Sequence, residues 1–63
     1  MKKIDLKKTI DNAKITQVKL AKDFDYSPQH IQKYYKTNKM SKGQNIAFIQ
    51  YFTAKEIYIY YII

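Results

Sequence analysis

Apolar residues recur at helical spacing through most of the chain. Leu6, Ile10 and Ala13 share one face, which predicts a first helix from about Asp5 to Ala13 with Lys7, Lys8 and Lys14 turned outward. Thr16 supplies a capping oxygen for a second helix, Gln17 to Phe24, whose inward positions are Leu20, Ala21 and Phe24. Ser27-Pro28 is the clearest start signal: Ser27 caps, and Pro28 sits in the first turn, where its missing N–H is harmless. The third helix that follows runs to about Tyr35, burying Ile31 and Tyr34 and presenting Gln29, Gln32, Lys33 and Lys36. A fourth, from about Lys42 to Phe52, is expected to bury Ile46, Ala47, Ile49 and Phe52.

The end of the chain reads two ways. Thr53-Ala54-Lys55-Glu56 has the form of a capping box and predicts a fifth short helix from Ala54. The tail EIYIYYII has β-branched and aromatic content that suits a strand equally well. The capping box favours helix, and the strand stays open as the alternative. With one Gly, one Pro, no repeats and no linker, the reading is an all-α fold. It is a compact domain of four or five helices spanning residues 1–63.

Bulk properties narrow the function. A chain of 63 residues buries only about 60% of its unfolded surface, so its stability rests on tight packing or self-association. There is no cysteine, hence no disulfide framework and no Cys-based zinc site. Twelve lysines against five acids give a formal charge of +7, which favours a polyanionic partner, nucleic acid before an anionic membrane. No apolar run is long enough to span a bilayer, and MKKIDLKKTIDNA carries acids where a signal peptide carries an unbroken apolar core. A soluble, cytoplasmic protein with no membrane association is expected.

Thr16 to Tyr35 has the layout of a helix-turn-helix, two short helices crossing steeply over a tight turn. That geometry needs a small residue where the helices approach, here Ala21. It needs a turn residue tolerant of positive φ, here within Asp25-Tyr26-Ser27, and inner apolar anchors, here Ile31 and Tyr34. The spacing Gln17, Ala21, Asp25, Ile31, Tyr34 resembles that of the lambda-repressor-like (XRE or Cro-type) helix-turn-helix family, with Asp25 where Gly is usual. The resemblance takes in the Lys14-Ile15-Thr16-Gln17 lead-in, the Ile46-Ala47 pair and the Thr53-to-Ile57 stretch, and so covers nearly the whole chain.

The resemblance implies a lambda-repressor-like fold and a sequence-specific transcriptional regulator of double-stranded DNA, of phage or plasmid type, binding a palindromic operator as a homodimer. By position it makes Pro28 to Tyr35 the recognition helix, with Pro28, Gln29, Gln32 and Lys33 reaching base edges in the major groove. The chemistry agrees: Gln pairs bidentately with adenine, Lys donates to guanine O6 and N7, and a Pro ring can touch a thymine methyl. Gln17, Lys19, Lys36, Asn38, Lys39 and Lys42 are the expected backbone contacts. No acid interrupts the stretch from Tyr26 to Lys55, while Lys33, Lys36, Lys39 and Lys42 recur every three residues. A charge run is ordinarily a solvated face, but the missing compensating acids favour phosphate contact. A dimer neutralising about eight phosphates would bind with a log–log salt slope of about −7.

Other chemistry is thin. His30 stands alone and is expected to be a surface or packing residue, and the five carboxylates are scattered, so no catalytic set, metal site, cofactor or small-molecule ligand is read. Asp11 and Asp23 read as solvating or helix-end residues. Tyr34, Tyr51 and Phe52 fall at core spacing. The tail is different: it carries more large apolar side chains than one face of a short element can bury. Residues 54–63 therefore read as a dimerisation element, with Ile57, Tyr58, Ile59, Tyr61 and Ile62 at the interface. Two rival readings remain: a small antirepressor-like interaction module using the Tyr/Ile surface, and an excisionase-like architectural DNA-binding factor.

Overall fold

Each helix of this protein begins on a side-chain cap and ends at a residue with left-handed backbone. The structure, a computed structural model, describes residues 2–62. Along the chain lie β1 (Lys3–Ile4), α1 (Leu6–Ala13), α2 (Gln17–Phe24), α3 (Pro28–Thr37), α4 (Lys42–Ala54) and β2 (Tyr61–Ile62). Asp5, Thr16, Ser27 and Ser41 accept the N–H groups of Lys8, Lys19, His30 and Gln44 at 3.1, 3.1, 3.2 and 3.2 Å. Each thereby satisfies one of the donors that a helix start leaves unpaired.

The helix ends are as regular. Lys14, Asp25, Asn38 and Glu56 have φ of 59°, 57°, 54° and 57°. After α1, α2 and α4 the next residue donates its N–H back across the end: Ile15 to Ile10, Tyr26 to Ala21 and Ile57 to Phe52, at 2.9, 2.8 and 2.9 Å. These are Schellman ends, in which the left-handed residue lets two orphan carbonyls find donors. None of the four positions is Gly, so the chain stops its helices without spending its single glycine.

The expected fifth helix is absent. Thr53 stays inside α4 and its carbonyl accepts the Glu56 N–H at 3.0 Å, so the Thr-to-Glu spacing that reads as a capping box belongs to a helix end. Ile57 then packs against the core, and the chain runs on to β2, which pairs antiparallel with β1 (Lys3 opposite Ile62, Ile4 opposite Tyr61). The fold is therefore four helices and a small two-stranded sheet, and the all-α expectation is corrected to that extent. Its Cα radius of gyration, 10.4 Å, matches the value of about 10.6 Å expected for a compact chain of this length.

The core is Ile4, Leu6, Ile10, Leu20, Ala21, Ile31, Phe48 and Phe52. Phe48 is its aromatic hub, with ring centroids 4.7 Å from Phe24, 6.0 Å from Tyr34 and 6.4 Å from Phe52. The expected inward set on α4 is therefore out of phase: Asn45, Phe48 and Phe52 are buried, whereas Ile46, Ala47 and Ile49 are half-buried. The helix is apolar on nearly every side from Ile46 to Phe52, so periodicity alone cannot fix which side faces in.

Two asparagines fasten the N-terminal segment. Asn45 Oδ1 accepts the Ile4 N–H at 2.8 Å and its Nδ2 donates to the Lys2 carbonyl at 3.0 Å. Asn38 Oδ1 accepts the Leu6 N–H at 2.9 Å. Thr9, fully buried, receives the Tyr60 N–H on its hydroxyl at 3.0 Å and donates to the Asp5 carbonyl at 2.7 Å. Backbone donors and acceptors that burial would otherwise orphan are thus paired by side chains 32 to 51 residues away.

Candidate nucleic-acid interface

The segment expected to form a helix-turn-helix folds as α2, a short turn and α3. Asp25 takes the left-handed conformation (φ 57°, ψ 40°) in which a Gly is least strained, and Asp is among the few other residues that visit it routinely. Ala21, 2% exposed, lies on the buried side of α2, and Ile31 anchors α3 in the core. Tyr34 is half-buried beside them. Ser27 caps α3 and Pro28 occupies its first turn.

The outer surface of α3 carries the residues expected to read bases. At 100° per residue, Gln29, Gln32, Lys33 and Lys36 cover an arc of about 100° on the side away from Ile31. Pro28, Gln29, Gln32, Lys33 and Lys36 are all exposed. No hydrogen bond or ion pair within the described residues engages the side chains of Gln29, Gln32, Lys33 or Lys36.

His30 and Tyr26, next to that arc, are committed elsewhere. His30 stacks between Tyr26 and Tyr34, with centroids 4.5 and 4.9 Å away, and its Nε2 lies 2.9 Å from the Tyr34 hydroxyl. It is a packing residue. Tyr26 also meets Gln44 Nε2 through its hydroxyl, so the turn is joined to α4.

Two tyrosine–carboxylate pairs hold the helices around this unit, which corrects the reading of Asp11 and Asp23 as merely solvating or helix-end residues. Tyr35 on α3 donates to both carboxylate oxygens of Asp11 on α1, at 2.8 and 2.9 Å. The accepted hydrogen bond raises the Tyr35 phenol above its ordinary value. Tyr51 on α4 donates to Asp23 on α2 at 2.5 Å. Burial, then the bond to Asp23 and its charge, push Tyr51 up to about 12, while the same hydrogen bond holds Asp23 below the usual carboxylate range.

The expected backbone contacts divide. Lys36, Lys39 and Lys42 are exposed on α3, the loop and the start of α4. Lys19 is exposed but pairs with Asp23 at 3.6 Å, an i,i+4 contact on the surface. Gln17 is half-buried in the first turn of α2. Asn38 departs from expectation: its carboxamide caps Leu6 and approaches Asp5 at 3.4 Å, so it is a structural clamp and no free phosphate ligand.

The C-terminal apolar set divides too. Ile57 and Ile59 pack against the chain's own core. Tyr58 is 70% exposed, Ile62 40% and Tyr61 37%, so the outward apolar surface narrows to these three. Ile63 lies outside the described residues. Asn45, which holds the N-terminal strand, and Thr9, which holds Tyr60 before β2, were legible only as polar interruptions of apolar helix faces.

No protein-family model, curated protein or solved structure matches this chain. No helix among the described residues is long and apolar enough to cross a membrane.

Proposed function

We propose that this protein is a sequence-specific double-stranded DNA-binding regulator with a lambda-repressor-like fold, acting as a homodimer. The observation that carries the reading is the uncommitted arc of Gln29, Gln32, Lys33 and Lys36 on a helix mounted behind a left-handed turn at Asp25. Most other polar side chains close by already have partners; these four do not. Gln and Lys are the side chains whose donors and acceptors match adenine and guanine edges in the major groove. The lysines that continue from Lys36 through Lys39 to Lys42 would hold the phosphates on one side of that groove.

The C-terminal segment supports the dimer reading. β2 has one edge on β1 and no strand partner on its other edge among the described residues, and Tyr58, Tyr61 and Ile62 are exposed around it. Pairing of that edge with a second copy would join two sheets across a two-fold axis and set two α3 helices on one palindromic site. A dimer seated on its site would repress by blocking access to that stretch of DNA.

Fluorescence anisotropy on duplexes selected from a random library tests the reading. Binding should favour a palindromic consensus and lose that preference in Gln29→Ala/Gln32→Ala. The same exposed Tyr58, Tyr61 and Ile62 favour the interaction-module reading as runner-up. It predicts indifference to the glutamine changes and failure on Tyr58 substitution.

A further inference from the structure

The fold builds a second basic surface that lies outside the helix-turn-helix. An open concavity of about 320 Å³ is lined by Lys2 and Lys3 from the N-terminal segment, by Met40 and Ser41 from the α3–α4 loop, and by Lys42 and Asn45 from the first turn of α4. Three lysines from segments some 40 residues apart line it, and no carboxylate is among the lining residues. A further surface concavity, along α1, sets Lys7 and Lys8 against Asp5 and Asp11 and has no such bias.

The convergence is fixed by the backbone. Asn45 holds both polar groups on the inner edge of the strand (Ile4 N–H and Lys2 C=O), while β2 pairs with the outer edge. Asn38 holds Leu6 from the other end of the same loop. The end of α3 and the first turn of α4 therefore grip residues 2–6 from the two sides of their loop, and Lys2, Lys3 and Lys42 line one concavity. Lys2 Nζ also stands 5.7 Å from the Tyr61 ring, a contact with the ring face that leaves its N–H donors for an anion. A cleft lined by one sign of charge concentrates the opposite sign.

We propose that this concavity binds a backbone phosphate of the nucleic acid, extending the phosphate track from Lys36, Lys39 and Lys42 to Lys2 and Lys3. The proposal rests on the DNA-binding reading given above. It makes the N-terminal strand part of the ligand surface, and its contribution is independent of base sequence.

The test compares salt slopes for duplex binding of the wild type, Lys2→Gln/Lys3→Gln, Lys42→Gln and Gln29→Ala/Gln32→Ala, with thermal melts confirming that each variant folds. Each lost phosphate contact lowers the slope by about 0.9 per protomer bound. Lys2→Gln/Lys3→Gln should therefore show a shallower slope, by about 2 for a dimer, and weaken binding equally on all sequences. Lys42→Gln should act in the same direction. The glutamine pair should lose sequence preference at an unchanged slope. A wild-type slope in Lys2→Gln/Lys3→Gln, beside a glutamine pair that does lose preference, overturns the proposal and leaves the DNA reading standing. A wild type that binds no duplex at low salt overturns both. Amide NMR titration separates the source of the anion: shifts at Lys2, Lys3, Ser41 and Lys42 should follow added duplex and not inorganic phosphate at equal phosphate concentration. Equal response to inorganic phosphate, undisturbed by duplex, overturns the nucleic-acid assignment.

Discussion

Asn45 faces Ile4 as a neighbouring strand would. Its Oδ1 accepts the Ile4 N–H at 2.8 Å and its Nδ2 donates to the Lys2 carbonyl at 3.0 Å, so one carboxamide closes the inner edge of β1. Asn45 is 5% exposed, which keeps water from taking over either bond.

Asn45→Ala should leave the buried Ile4 N–H unpaired and lower stability by about 1–3 kcal/mol. In a domain of this size that corresponds to roughly 4–8 °C of Tm per kcal/mol, readable by circular dichroism. A melt equal to the wild type would show that the strand does not depend on this side chain.

The left-handed helix ends make a second prediction, with a sign that separates two readings of one residue. Glu56 at φ 57° favours Gly, so Glu56→Gly should be neutral to stabilising, by up to about 1 kcal/mol after the entropy of the unfolded chain is counted. Were Glu56 inside a fifth helix, the same change would cost about 1 kcal/mol. Asp25→Gly should follow the first pattern and Asp25→Val should destabilise, because a β-branched residue tolerates positive φ poorly.

These positions also show where sequence reading succeeds and where it fails. The bounds of α2, the Ser27-Pro28 start of α3 and its outer face were legible because each is a local signal: a cap, a proline, one polar stripe. Glu56 was misread because Thr-x-x-Glu spacing opens a helix only if the preceding residues are not already helical, and here α4 runs through Thr53. Phe48 and Asn45 were missed because α4 has no polar face to set the phase. The grip of Asn38 and Asn45 on residues 2–6 is long-range, and nothing local encodes it. For that reason the candidate surface was read from α2, α3 and the stretch through Lys42, without Lys2 and Lys3.

The tyrosine–carboxylate pairs make the stability of the fold depend on pH at both ends. Tyr51 is raised to about 12 and Tyr35 is also raised, so both stabilise the fold below the unfolded phenol value near 10 and that stability is lost as pH climbs through the folded values. Asp23 is lowered, chiefly by the Tyr51 hydrogen bond; its contribution is present above about pH 4 and is lost as pH falls through the folded value. Absorbance titration should show late-ionising tyrosines that disappear in Tyr35→Phe/Tyr51→Phe. Asp23→Asn should flatten the acid limb of a stability–pH curve; an unchanged limb would assign it to other groups.

Self-association should reside in the exposed part of the tail. Tyr58→Ser/Tyr61→Ser should shift the protein from dimer to monomer in sedimentation equilibrium, while Ile57→Ala and Ile59→Ala should chiefly lower Tm, because those side chains pack inward. A wild type that is monomeric at every concentration would remove the dimer from the account.

The most direct measurement is footprinting of the purified protein on duplex DNA flanking its own coding sequence. The account predicts protection of a two-fold symmetric site whose half-sites lie about 34 Å apart, lost in Gln29→Ala/Gln32→Ala. No protection of any duplex, or a footprint indifferent to both glutamines, would contradict it.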